Sequence, residues 1–95
     1  MNTYFVYILK SQKDSTRYYI GLTNNLDKRL KEHNSKDSYY SRRFAPWSLE
    51  IYIAFKSQCL AVSFEKYLKA GSGQAFLKKH FLAPLDSGSL ESSLN

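Results

Sequence analysis

The sequence predicts an α+β fold, a small three-stranded antiparallel sheet flanked by helices in the order ββαβαα. Three observations carry this. Two short β-rich runs, "TYFVYILK" (3–10) and "RYYIGL" (17–22), are joined by the polar segment "SQKDST", the signature of a hairpin. A third run, "SLEIYIAF" (48–55), alternates residue by residue as a half-buried strand does. The remaining ordered segments carry helix caps and apolar residues at helical spacing.

In the hairpin, a register that sets Tyr7 opposite Tyr19 puts Tyr4, Val6 and Ile8 on one face with Tyr18, Ile20 and Leu22. Phe5, Tyr7 and Leu9 then share the other face with Arg17, Tyr19 and Gly21, so one face is apolar throughout and the second is mixed. In "TNNLDKRLKEHN" (23–34), Thr23 or an Asn caps a helix with Asp27 in its first turn. Leu26 and Leu30 form its narrow apolar stripe, and Arg29 and His33, four apart, flank that stripe.

"SKDSYYSRRFAPW" (35–47) reads as an irregular basic and aromatic connection broken at Pro46. The third strand then turns Leu49, Ile51, Ile53 and Phe55 to one face and Glu50, Tyr52 and Ala54 to the other. Ser57 caps "QCLAVSFEKYLKA", expected to bury Leu60, Ala61, Phe64, Tyr67 and Leu68 and to stop at Gly71, with Glu65 at the edge of the apolar arc. Ser72 is expected to cap the last helix, "GQAFLKKHFL". Residues 1–82 thus form one domain, and the polar stretch 83–95, "APLDSGSLESSLN", is expected to be a disordered tail.

The chain has 95 residues and a net charge of +6, unevenly placed. Residues 1–82 hold all 14 Lys and Arg and six of the eight acidic residues, a net +8. A compact domain that basic is drawn to polyanions, although lysines also serve as plain solubilising charge. No apolar run approaches the roughly 20 residues of a membrane span, and the N-terminus lacks the regions of a signal peptide. A single cysteine, Cys59, rules out an intramolecular disulfide and fits a reducing compartment. The expected location is therefore the cytoplasm, away from membranes.

Tyr7, Tyr19, Arg29, His33 and Glu65 all fall on or beside mixed faces. Their order and spacing resemble those of the GIY-YIG nucleases, which are named for two strand motifs that each supply a tyrosine. Here Phe5-Val6-Tyr7 stands for the first motif and Tyr19-Ile20-Gly21 for the second, twelve residues after Tyr7. Arg29 follows ten residues after Tyr19, His33 four beyond it, and Glu65 lies on a later helix in "SFEKYLKAGSG". The first motif has Phe5 where the family has glycine, and a late phosphate-contacting asparagine of some members has no counterpart.

The resemblance implies a hydrolase that cleaves DNA phosphodiester bonds with water and one divalent metal, Mg2+ or Mn2+. Glu65 matches the metal-binding glutamate; a hard cation that keeps most of its waters needs one protein carboxylate when phosphate supplies the rest. Tyr19 matches the general base, with Tyr7 assisting, and a phenol of pKa near 10 needs nearby cations to serve. Arg29 matches the arginine that neutralises the scissile phosphate, and His33 a histidine that positions or relays protons. His80 matches no motif and reads as structural.

Arg42, Arg43, Lys69, Lys78 and Lys79 are the expected phosphate contacts outside this set. With no zinc finger or helix-turn-helix to read bases, little sequence preference is expected. A second reading stays open: a nucleic-acid-binding module of the same fold with weak turnover, or one dependent on a protein partner. The complete set of five favours the enzyme, because a binding module has no use for a helix-edge carboxylate that repels phosphate.

Overall fold

The computed structural model describes residues 2–35 and 41–82, without the side chains of residues 41 and 42. The proposed tail at 83–95 and part of the connection before the third strand lie outside the described residues. Strands β1 (Tyr4–Ser11), β2 (Tyr18–Thr23) and β3 (Trp47–Phe55) form one antiparallel sheet in the order β2-β1-β3. Helix α1 (Leu26–Asn34) and a 3-10 turn (Ser41–Phe44) lie between β2 and β3, and α2 (Gln58–Lys69) and α3 (Gly71–His80) follow. The order ββαβαα and the α+β class are as the sequence predicts.

The central strand supplies both cores. Val6, Ile8 and Ile20 pack with Ala61 and Leu68 of α2 and Leu77 of α3. Tyr7 and Leu9, one residue out of phase, pack on the other face with Trp47, Tyr19, Leu26, Leu30 and Phe44. The sheet is therefore a middle layer, with α2 and α3 on one side and α1 with the 3-10 turn on the other.

The hairpin register differs from expectation by two residues. Tyr7 stands opposite Gly21, and Tyr19 opposite Leu9. The turn sets this: Arg17 N–H donates to the Asp14 carbonyl at 2.9 Å, and the Asp14 carboxylate accepts from the Thr16 N–H and hydroxyl at 3.0 and 2.7 Å. Because side chains alternate with a period of two, a two-residue shift preserves every face assignment.

In β3 the pairing skips Glu50, so that Ile8 meets Ile51 but Leu9 meets Leu49. The bulge moves Leu49 to the α1 side, while Ile51 and Phe55 pack on the α2 side, in contrast to the single face read from alternation.

Asn25 is the α1 cap, its side chain accepting from Lys28 N–H at 3.1 Å, and Ser57 caps α2 by accepting from Leu60 N–H at 3.2 Å. Leu60 and Tyr67, expected inside, are 62% and 40% exposed. The buried stripe of α2 runs through Ala61 and Leu68, and the residue preceding each is rotated by one helical step toward solvent.

Helix α2 ends at Lys69, before Gly71, because Ala70 is extended and serves as cap to both α2 and α3. Ser72 lies inside the first turn of α3 and caps nothing. Gly73 is the glycine that matters at this corner: any side chain there would overlap the Tyr67 carbonyl.

Candidate active site

Tyr7 is the hub of the mixed face. Its ring lies across Gly21, and a Cβ at residue 21 would overlap the phenol oxygen and the carbon that bears it. The glycine of "YIG" thus makes room for the tyrosine of the preceding strand. The side chain is 1% exposed. Arg29 Nε–H donates to its hydroxyl at 3.3 Å, and the hydroxyl meets His33 Nε2 at 3.1 Å.

These contacts follow from the helical spacing of Arg29 and His33, which points both from α1 onto the same patch of sheet. Tyr19 completes the group, with its ring centroid 4.4 Å from that of His33 and 6.3 Å from that of Tyr7.

The electrostatics assign protons to the cluster. Burial raises the Tyr7 pKa above the ordinary tyrosine value, outweighing the Arg29 hydrogen bond and charge that lower it, and the charges of Tyr19 and Glu65 raise it further. Burial also lowers the His33 pKa, with help from the Arg29 charge. Tyr7 is therefore a neutral phenol and His33 a neutral imidazole. The Tyr7 hydroxyl accepts from Arg29, leaving its own hydrogen for Nε2 of the imidazole. Arg29 is held more firmly protonated, chiefly by its bond to Tyr7. Its Nη1 also meets a Glu32 carboxylate oxygen at 3.3 Å.

Glu65 stands apart from these direct contacts. Its side chain on α2 is 20% exposed and pairs with Lys69 Nζ at 3.4 Å, yet its charge reaches far enough to oppose ionisation of Tyr7. Among the described residues no group of three His, Cys, Asp or Glu could hold a metal ion by itself. A partly exposed carboxylate near a cluster of phenols suits a hard cation that retains waters and takes further oxygens from a substrate. Glu65 is the carboxylate of the sequence-predicted set that could hold one.

An open recess beside the cluster is lined by Leu22, Thr23, Asn25, Lys28, Arg29 and Glu32. Its lining carries the charges of Lys28 and Arg29 against that of Glu32, a net positive balance that favours an anion.

The five sequence-predicted residues divide accordingly: Tyr7 contacts Arg29, His33 and Tyr19, Tyr19 also lies against His33, and Glu65 acts on Tyr7 through its charge. Of the expected phosphate contacts, Lys69 is engaged with Glu65, while Lys78 and Lys79 are exposed in the last turn of α3, in the layer opposite α1. Arg43 lies over the Phe44 ring. The side chain of Arg42 lies outside the described residues.

Three supporting residues escaped the sequence reading. The Asn34 side chain accepts from Trp47 N–H at 2.6 Å and donates to the Trp47 carbonyl at 3.2 Å, clipping the end of α1 to β3. Gln74 accepts from the Tyr18 hydroxyl at 2.6 Å and donates to the Leu68 carbonyl at 2.7 Å. The buried Ser11 hydroxyl donates to the Phe44 carbonyl. Asn34 follows the His33 that the motif singled out, and this adjacency is the one signal that pointed toward it.

Comparison with known proteins matches residues 3–79 to the GIY-YIG catalytic domain. A UPF0213 protein of Clostridium perfringens is 41% identical over 66 residues, covering 68% of this chain and 69% of its own. Another, from Bacillus licheniformis, is 36% identical over 69 residues, covering 72% and 69%. The solution NMR structure of a UPF0213 protein from Bacillus halodurans superposes with a TM-score of 0.51 at 29% identity, covering 83% of this chain and 86% of that one.

Proposed function

The chain belongs to the GIY-YIG catalytic domain family, whose members are generally endonucleases, and from that premise we propose that it hydrolyses DNA phosphodiester bonds with a divalent metal and water as nucleophile. The observation that carries the reading is the Tyr7 hydroxyl bracketed by Arg29 Nε and His33 Nε2 at 3.3 and 3.1 Å, with Tyr19 against the same imidazole. It brings a fixed positive charge, a neutral proton acceptor and two phenols to one edge of an anion-favouring recess.

In this mechanism Arg29 meets the scissile phosphate from the recess, and its charge opposes the negative charge that grows in the transition state. Tyr7, buried and held neutral, positions Arg29 and His33. Tyr19, less buried, is the proposed general base: as phenolate it takes the proton of the attacking water while the water oxygen bonds to phosphorus and the bond from phosphorus to the leaving oxygen breaks, with the His33 ring packed against it. Glu65 would hold Mg2+ or Mn2+, which supplies Lewis-acid stabilisation of the phosphate when bound.

The domain so assigned comprises residues 1–82. Among its described residues no helix is long and apolar enough to cross a membrane.

A binding module with weak turnover is the second reading, and the ion pairs of Arg29 with Glu32 and Glu65 with Lys69 favour it, since both must loosen for catalysis. The two are separated by incubating pure protein with plasmid, branched and single-stranded DNA, with and without Mg2+ or Mn2+. Metal-dependent cleavage lost in Glu65→Gln supports the enzyme; binding without cleavage by the parent supports the module.

A further inference from the structure

Phe44 carries two guanidinium groups. That of Arg17 is centred 4.8 Å from the ring centroid and that of Arg43 5.5 Å. Each gains from the ring quadrupole, yet the two like charges repel. Arg17 is paired with Asp14, whose carboxylate oxygen is 3.7 Å from Arg17 Nε. Both arginines are exposed, with the Arg17 side chain at 57%. A second anion would relieve the repulsion.

The ring beneath them is fixed. Phe44 packs against the core of Tyr7, Leu9 and Trp47, its carbonyl accepts from Ser11, and Gln12 N–H donates to the Pro46 carbonyl at 2.8 Å. Arg17 precedes β2, its carbonyl accepting from Ser11 N–H at 3.0 Å, and by strand alternation it shares the face of Tyr19 and Gly21. It lies four positions before Gly21, about 13 Å at roughly 3.3 Å per residue.

We propose that Arg17 and Arg43, held on Phe44, form a second backbone-phosphate site for a polynucleotide, a few phosphates along the strand from the one presented to Arg29. This rests on the nucleic-acid reading above and adds a path: the substrate runs along the hairpin toward its turn. A guanidinium can stack on an aromatic ring with its face while its edge donates to phosphate oxygens, a combination lysine lacks. The substrate class is then a polymer, since an isolated diester cannot span both positions.

The test is fluorescence anisotropy of a labelled oligonucleotide with Ca2+ in place of Mg2+, across a salt series, for the parent, Arg17→Ala and Arg17→Lys. Arg17→Ala is expected to weaken binding about three- to tenfold and to lower the slope of log affinity against log salt by up to about one unit. Arg17→Lys keeps the parent slope and regains part of the affinity. A dinucleotide, with one diester, cannot bridge the two positions, so its affinity is expected to fall less in Arg17→Ala than that of the oligonucleotide.

Thermal unfolding midpoints matching the parent's show that the exposed substitutions leave the fold intact. Salt-dependent parent binding with an unchanged slope and affinity in Arg17→Ala overturns this site and leaves the nuclease reading standing. A parent that shows no salt-dependent binding removes the nucleic-acid reading itself, and this site with it.

Discussion

Tyr7 and Gly21 stand directly opposite each other on adjacent strands, and the phenol ring of one occupies the space a side chain on the other would need. Gly21→Ala should therefore push Tyr7 off Arg29 and His33. We expect a loss of about 1–3 kcal/mol in stability from overpacking, together with a fall in cleavage rate larger than any fall in DNA affinity. Urea unfolding and single-turnover cleavage measure the two effects; a variant with parental rates removes Tyr7 positioning from the mechanism.

The adjacent phenols Tyr18 and Tyr19 offer an internal control. Tyr19→Phe should reduce cleavage about a hundredfold or more, as expected on removing a general base. Tyr18, on the opposite face, donates to Gln74, so Tyr18→Phe should cost about 0.5–1.5 kcal/mol of stability and leave catalysis near parental. Equal rate losses at the two positions contradict the base assignment.

Glu65→Gln should abolish metal-dependent cleavage while the unfolding midpoint and the affinity for DNA stay close to parental. The isostere keeps the half-buried contacts of α2 and removes the charge that would hold the cation. Undiminished cleavage by this variant takes Glu65 out of the chemistry.

The shifts of His33 and Tyr7 predict a plateau of stability bounded on both sides. Unfolded, His33 takes up a proton near pH 6.5, but the folded protein resists it, so stability falls as pH drops below that value toward the folded pKa. Unfolded, Tyr7 loses its proton near pH 10 while the folded protein retains it, so stability falls as pH rises from there through the folded pKa. Denaturant midpoints across pH should show both limbs. His33→Asn should flatten the acid limb and Tyr7→Phe the alkaline one; limbs unmoved by either substitution assign the titration to other groups.

Asn34→Ala removes both side-chain hydrogen bonds to Trp47 and should destabilise the protein by about 1–2 kcal/mol. Since the clip holds the end of α1, next to His33, activity should fall more than the loss of folded population explains. Proportional losses of activity and folded fraction would make Asn34 a purely structural residue.

What could be read from the sequence was whatever depends on local period. Strand alternation put Tyr7 and Tyr19 on one face and Tyr18 on the other even though the expected register was two residues off, because an even shift leaves faces unchanged. Four-residue spacing joined Arg29 to His33, and Ser57 announced its helix. The bulge at Glu50 left no trace in the alternation of "SLEIYIAF", so Leu49 was placed on the wrong face. Gly71 looked like a helix stop because glycine is the common one, whereas the extended Ala70 makes the break. Contacts such as Asn34 with Trp47 and Gln74 with Tyr18 join residues remote in the chain or on different elements, and no short-range pattern encodes them.

Residues Val6 to Leu9 of the central strand are each 1% exposed, and their side chains feed both cores alternately. Such a strand cannot detach from one layer without uncovering the other. Its amide hydrogens, paired to β2 and β3, should therefore exchange with solvent only when the whole domain opens. The slowest-exchanging amides then lie on the strand that carries Tyr7. A ligand seated against Tyr7 and Arg29 that binds only the folded state would slow that exchange by a factor of one plus the ratio of free ligand concentration to Kd, so deuterium uptake at this strand reports binding in the absence of turnover.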